Sequence, residues 1–260
     1  MLLAVDVGNT ETLLGVFRGP ELRHHWRMAT KAERTPDELA LFFAGFLGSV
    51  GLSFSTEITG VVISSVVPAA TQALREMTER SFGFPPVVLE PGTRTGMAIL
   101  IDNPREVGAD RIANAVAAFA RHGGPCIVVD FGTATNFDVV SARGEYLGGA
   151  IAPGLTVAAE GLYRAAARLH PVELRAPRAA IGRNTTEAVQ SGLIFGAAAE
   201  VDGMIERIRN ELGAEAKAVA TGGLAPLVVP HCRTSLEHEP WLTLEGLRLV
   251  FERNVGPADG

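Results

Sequence analysis

The stretch "AVDVGNTETLLGVF" (residues 4–17) has a counterpart in the second half of the chain, "VVDFGTATNFDVV" (residues 128–140). Each reads as an apolar run, an Asp, one apolar residue, a Gly, small polar residues and a second apolar stretch. The two aspartates, Asp6 and Asp130, lie 124 residues apart in a chain of 260. A strand that ends in Asp-x-Gly and bends back into a second strand exposes backbone N–H groups at the bend. Gly8 and Gly132 permit a close approach that a β-carbon would block, and Thr10, Thr133 and Thr135 add hydroxyls. Such a turn can hold phosphate oxygens. A carboxylate beside phosphate makes sense when a cation or its waters sit between them. Either turn alone reads more readily as a plain β-hairpin with an exposed Asp. Two matched turns at equivalent places favour the phosphate reading.

The chain around the turns has a matching rhythm. In the first half, strands are predicted at residues 2–5, 12–17 and 21–28. A helix follows, with Thr35 as N-cap, Pro36 at the first helical position and Glu38 completing a capping box. Next come a buried strand at 60–67, a helix near 69–82, a strand at 86–90, and a helix from about Val107 stopped by Gly123 and Gly124. The second half gives strands at 127–129 and 137–141 and a third through "GEYLGGAIAPG". Helices follow at about 155–169 and 184–213, with a late strand in "AKAVATGG" and a closing amphipathic helix in "TLEGLRLVFERN". This is an α/β pattern with a partly antiparallel sheet in each half. It predicts two units, residues 1–122 and 123–260.

Composition bounds the function. The chain is 47% hydrophobic and 20% charged, with a net charge of −6 and no basic stretch, which argues against a nucleic-acid partner. No apolar run approaches the roughly 18 residues of a membrane span, and the N terminus lacks the basic region of a signal peptide, so a cytoplasmic location is expected. Cys126 and Cys232 have no metal-ligand spacing, and Cys126 is expected in the core. Trp26, Met97, Trp241 and the phenylalanines of "LALFFAGFL" are expected in the core as well. The six histidines form no H-x-x-x-H pair and are assigned no chemistry. No Gly-Lys dipeptide and no G-x-G-x-x-G occurs, so a P-loop and a dinucleotide fingerprint are both excluded.

Paired Asp-x-Gly hairpins resemble those of the acetate and sugar kinase, Hsp70 and actin superfamily. Within it, "DVGNT" (6–10), "NPREVGADR" (103–111), "VDFGTAT" (129–135) and "GGAIAPG" (148–154) closely match type III pantothenate kinases. "GRNT" (182–185) and "TGG" (221–223) also fit, and the resemblance runs in order to about Asn254. It implies a duplicated actin-like (ribonuclease H-like) α/β fold, two mixed-sheet halves around a nucleotide cleft. The activity implied is transfer of the ATP γ-phosphoryl group to pantothenate, the first step of coenzyme A synthesis.

Carried over by residue, the resemblance implies that Asp6, Val7, Gly8, Asn9, Thr10, Glu11, Thr12 and Leu13 hold ATP phosphates, with Asp6 near Mg²⁺. It implies that Asp130 binds a monovalent cation, K⁺ or NH₄⁺, and that Thr133, Gly222 and Gly223 contact the nucleotide. Ile101, Gly108, Ala109, Asp110 and Arg111 would form the pantothenate site, with Asp110 as general base. Thr185, which could also serve as a helix N-cap, would contact pantothenate from the second subunit of a homodimer. Gly192 and Gly196 permit close packing of their helix. Two residues depart from the family pattern: Glu11, where a neutral polar residue is expected, and Ile101, at a position that is often aromatic. A non-catalytic, ligand-sensing relative and another kinase or phosphatase of the superfamily are the competing readings.

Overall fold

The computed structural model describes residues 1–54 and 56–255. In chain order the elements are β1 (Leu2–Val7), β2 (Glu11–Arg18), β3 (Glu21–Ala29), α1 (Pro36–Gly48), β4 (Gly60–Ser65), α2 (Pro68–Phe82), β5 (Val87–Val88) and α3 (Ala109–His122). They continue with β6 (Cys126–Phe131), β7 (Ala134–Val140), β8 (Tyr146–Pro153), α4 (Leu155–Ala165), α5 (Thr185–Leu212), β9 (Lys217–Thr221), α6 (Ala225–Val228), β10 (Glu237–His238) and α7 (Leu242–Val255). Two sheets result, ordered β3-β2-β1-β4-β5 and β10-β9-β6-β7-β8. Read from opposite ends they have one topology: an antiparallel meander of three strands, then two strands added in parallel. The duplication expected from the two turns is present in full.

The chain divides into two compact units. One comprises Met1–Met97, Asp102–Ala117 and the segment from Leu242; the other comprises Ala98–Ile101 and Ala118–Trp241. A division after residue 122 therefore needs correction at two places: α3 passes from one unit to the other, and α7 belongs to the first. The reason is visible at three glycines of the first unit. A Cβ on Gly60 would lie 2.3 Å from the Phe251 ring, one on Gly15 would lie 2.8 Å from Leu244, and one on Gly246 would lie 1.9 Å from the Ala113 carbonyl oxygen. α7 thus seats directly on β2, β4 and α3. Thr243 Oγ1 and Asn114 Oδ1, 2.7 Å apart, add a polar tie between α7 and α3.

Within the first unit, β1 and β4 are buried almost throughout, whereas β3 alternates exposed and half-buried residues as an edge strand should. α1 begins as expected: Glu38 N–H donates to Thr35 Oγ1, and the Glu38 carboxylate accepts from the Thr35 N–H. Its phenylalanines divide. Phe43 is buried, Phe46 packs at the edge of the core against Trp26, and Phe42 is exposed beneath the Arg34 guanidinium. Met97 is buried, and Trp26 and Trp241 are half-buried. β5 is shorter than expected, since Pro85 and Pro86 offer no N–H and the Glu90 N–H donates to Thr93 Oγ1.

In the second unit, Ile127, Val129, Phe131 and Phe137 of the sheet meet Ile194, Ala198, Val201 and Ile205 of α5 in one core. Cys126 is fully buried, and burial pushes its thiol pKa up to about 12. α4 stops at Ala165 rather than near Leu169. Beyond it, Leu169, Val172, Leu174 and Ala176 pack on the core from an extended segment, and that burial outweighs helix propensity. A Cβ on Gly192 or Gly196 would meet no heavy atom within 4 Å among the described residues, so these two glycines do not seat another helix of this chain. No helix among the described residues is long and apolar enough to cross a membrane.

Candidate active site

In the first sheet, β1 ends at the first turn, and parallel pairing with β4 sets Asp6 beside Ser64. In the second, β6 leads into the second turn and pairing with β9 sets Asp130 beside Thr221. Both hydroxyl residues are buried. This second shared feature, a hydroxyl next to each acidic residue, was not read from the sequence. Its signal was the Ser or Thr ending each of two apolar runs, "GVVISS" and "KAVAT".

The two turns differ by one residue. In the first, Val7 pairs with Thr12, and the Gly8 N–H donates to the Glu11 carbonyl at 3.0 Å, leaving Asn9 and Thr10 at the tip. In the second, Phe131 pairs with Thr135, and the Gly132 N–H donates to the Ala134 carbonyl at 3.0 Å, leaving Thr133 at the tip. The first turn is braced from β3: the Thr30 N–H donates to the Thr10 carbonyl at 2.9 Å, and the Thr12 and Thr30 hydroxyls are 2.9 Å apart. A cavity of about 20 Å³ behind it is lined by Val7, Thr12, Thr30, Lys31 and Arg34. Lys31 and Arg34 share this cavity with apolar Met28, Leu39, Ala70 and Leu74, and the Arg34 guanidinium donates to the Ala29 carbonyl at 2.9 Å. Sequence reasoning missed both cations, because they follow β3 rather than the motif itself. Glu11 lies 3.7 Å from Arg27 of β3, so the out-of-place carboxylate has a cation for a neighbour.

The second turn is enclosed by two glycines of its own unit. A Cβ on Gly154 would lie 2.3 Å from the Thr133 carbonyl oxygen and 2.5 Å from that of Gly132. Gly154 also precedes α4, so the positive end of that helix abuts the turn. Gly222 adopts φ +91°, and a Cβ there would lie 2.5 Å from Asp130 Oδ1 and 2.6 Å from the Phe131 backbone. Only glycine fits both the conformation and the space. The "TGG" segment and Asp130 are therefore neighbours, 92 positions apart from Asp130 to Gly222 in sequence.

Gly108, Ala109, Asp110 and Arg111 open α3 in the first unit. Asp110 Oδ1 accepts the Arg111 backbone N–H at 2.9 Å and sits 2.4 Å from where a Gly108 Cβ would be. Gly108 is thus the space into which the Asp110 carboxylate folds. Ile101 lies in the second unit, its Cγ2 at 3.4 Å from a Gly148 Cβ position. Thr185 begins α5 and is exposed, but Asn184 is the cap: its side chain accepts the Glu187 N–H at 2.9 Å. The N-cap reading of Thr185 is corrected, and its hydroxyl is left with no capping role.

A family model described as type III pantothenate kinase matches residues 2–207. The chain belongs to that family. It is 56% identical to the type III pantothenate kinase of Acidothermus cellulolyticus over 98% of this chain and 99% of the relative. It is 53% identical to that of Streptomyces griseus over 99% of this chain and 100% of the relative. The fold recurs at low identity in the activator of 2-hydroxyisocaproyl-CoA dehydratase from Clostridium difficile, a structure with bound ADPNP: TM-score 0.58, 12% identity, 97% of this chain and 95% of that one. A Campylobacter jejuni protein described with the Baf family of transcriptional activators superposes with TM-score 0.62 at 20% identity, over 97% of this chain and 98% of that one. As a type III pantothenate kinase, the chain is an ATP-dependent enzyme of coenzyme A biosynthesis, with a kinase's general need for a divalent metal.

Proposed function

We propose that this enzyme transfers the γ-phosphoryl group of ATP to the primary hydroxyl of pantothenate with Asp110 as general base. The observation that carries the assignment is the Asp110 carboxylate itself, folded into the space of Gly108 at the start of α3 with Oδ1 held by the Arg111 N–H. A carboxylate fixed in this way can orient the substrate hydroxyl and take its proton as oxygen attacks the γ-phosphorus and the bond to the β-phosphate oxygen breaks. Ala109 and Arg111 flank it, and the Arg111 guanidinium is suited to the substrate carboxylate. Ile101 supplies apolar surface to pantothenate, and Thr185 contacts it from the partner subunit of a homodimer.

The segment from Asp6 to Leu13 binds ATP phosphates through the N–H groups and hydroxyls of its turn. Thr133, Gly222 and Gly223 serve the nucleotide. Mg²⁺, held by Asp6 directly or through water, would neutralise phosphate charge. The residues around Asp130 fit a K⁺ or NH₄⁺ ion: a carboxylate and a turn rich in carbonyl oxygens, with Gly222, lacking a Cβ, packed close against Oδ1. A reaction that consumes ATP accords with a cytoplasmic location. Purified protein supplied with ATP, Mg²⁺, K⁺ and pantothenate in an assay coupled to ADP release should turn over. Pantothenate-independent ADP release, or none at all, would overturn the reading.

A further inference from the structure

His122 ends α3, and Glu237 and Glu239 lie in and just beyond β10, all within the second unit. Two positions apart on an extended strand, the glutamates share one face. The Glu239 N–H donates to the Ala220 carbonyl at 2.8 Å, which extends the pairing of β10 with β9. Each of the three side chains offers one ligand atom, and these atoms lie within 4.8 Å of one another.

An independent feature points to a ligand. The His122 side chain is only 9% exposed, and its Nε2 has no hydrogen-bond partner among the described residues. The nearest carboxylate oxygen, Glu239 Oε1, stands at 3.7 Å, beyond hydrogen-bonding distance. A buried imidazole nitrogen without a partner is costly, and this one is aimed at two carboxylates. Cations already engage those carboxylates from outside: Arg121 contacts Glu239 Oε2, and Lys217 Nζ lies 2.7 Å from Glu237 Oε2. Such contacts orient ligating carboxylates in metal sites.

We propose that His122, Glu237 and Glu239 form a binding site for a transition-metal ion of the Zn²⁺ class, built from residues other than Asp6 and Asp130. One imidazole nitrogen and two carboxylate oxygens suit Zn²⁺, whereas Mg²⁺ favours oxygen ligands alone. Bonds of about 2.0–2.2 Å put tetrahedral neighbours ~3.4 Å apart, so the flexible glutamates draw inward, and water takes the fourth position. The ion adds a further tie between the C-terminal end of α3 and the two-residue edge strand β10, beside the Arg121–Glu239 contact and the pairing with β9.

The test is calorimetric titration of metal-stripped, nucleotide-free protein with Zn²⁺ at neutral pH, repeated with His122→Gln and with the double variant Glu237→Gln/Glu239→Gln. Wild type should bind one ion per chain at this site and melt at a higher temperature with Zn²⁺. Losing an outer-shell partner typically weakens metal binding 10–100-fold, so losing the His122 ligand should weaken it by about 100-fold or more. Both variants should keep Mg²⁺-supported kinase activity, which reports intact folding. If His122→Gln does not fold, the glutamine double variant carries the same comparison. Absence of saturable binding overturns the site, as does binding of equal strength in wild type and variants. The group would then be an ion-pair network of the two glutamates with Arg121 and Lys217.

Discussion

A carboxylate at the first turn of a helix is favoured by the helix dipole, but Asp110 is placed more tightly than that requires. Its Oδ1 fills the volume a β-carbon on Gly108 would need, 2.4 Å away. Two substitutions separate its functions. Asp110→Asn keeps size and most hydrogen bonding but cannot accept a proton; if Asp110 is the general base, kcat should fall on the order of 10²–10⁴-fold, the usual contribution of general-base catalysis. The KM for ATP should change little. Gly108→Ala needs no unusual backbone conformation and clashes only with a movable side chain, so melting temperature should hold while kcat falls as the carboxylate swings away. An Asn variant within a few-fold of wild type would restrict Asp110 to positioning pantothenate. Asp130 is a matching case on the second sheet. Activity should require K⁺ or NH₄⁺ and be lost in buffer holding only Na⁺, and Asp130→Ala should abolish the difference among cations. Equal rates in Na⁺ and K⁺ would remove that role from Asp130.

Between elements, one buried carboxylate holds a loop. Asp202 of α5, 6% exposed at its side chain, accepts the Arg233 N–H at 2.9 and 3.0 Å and the Thr234 N–H at 2.8 Å. Burial pushes its pKa up, but the N–H and side-chain bonds from Arg233 and Thr234 prevail and hold it below the ordinary value. Asp202→Ala removes the buried acceptor of these part-buried N–H groups and should destabilise by about 1–3 kcal/mol. A depressed pKa means that the stabilisation is complete above the unfolded-state value, near 3.9 for Asp, and is lost as pH falls through the folded-state value. The gap in melting temperature between wild type and Asp202→Ala should therefore be full at neutral pH and close in acid. Elements of this kind mark where sequence reading stopped. The long apolar runs, the capping box of Thr35 and Glu38 and the paired Asp-x-Gly turns were legible because each depends on near neighbours. β10, the Asp202 tie and the contact of Gly222 with Asp130 join residues remote in sequence, and no local pattern announces them; α6 is only four residues long. Phe42 sat on the expected helix yet faces outward, since helical spacing alone does not say which side is covered.

For the whole molecule, the exposed hydroxyl of Thr185 and the open faces of Gly192 and Gly196 on α5 accord with a partner subunit over this helix. If each pantothenate site draws Thr185 from the partner, inactive Asp110→Ala and Thr185→Ala chains should regain activity when mixed, because one of the two sites in a heterodimer is then intact. Heterodimers that form and remain inactive would argue for a site within one chain. The placement of α7 bears on a different matter, the order in which the protein is made. Ribosomes add about 5–20 residues per second from the N terminus, so β1, β2 and β4 emerge early. Their unit is nevertheless closed by the segment from Leu242, which emerges after the whole of the second unit. Until then the bare surfaces around Gly15 and Gly60 await Leu244 and Phe251. The half translated first is thus the half completed last, and a nascent chain halted before Leu242 would present an uncovered sheet to chaperones and to other nascent chains.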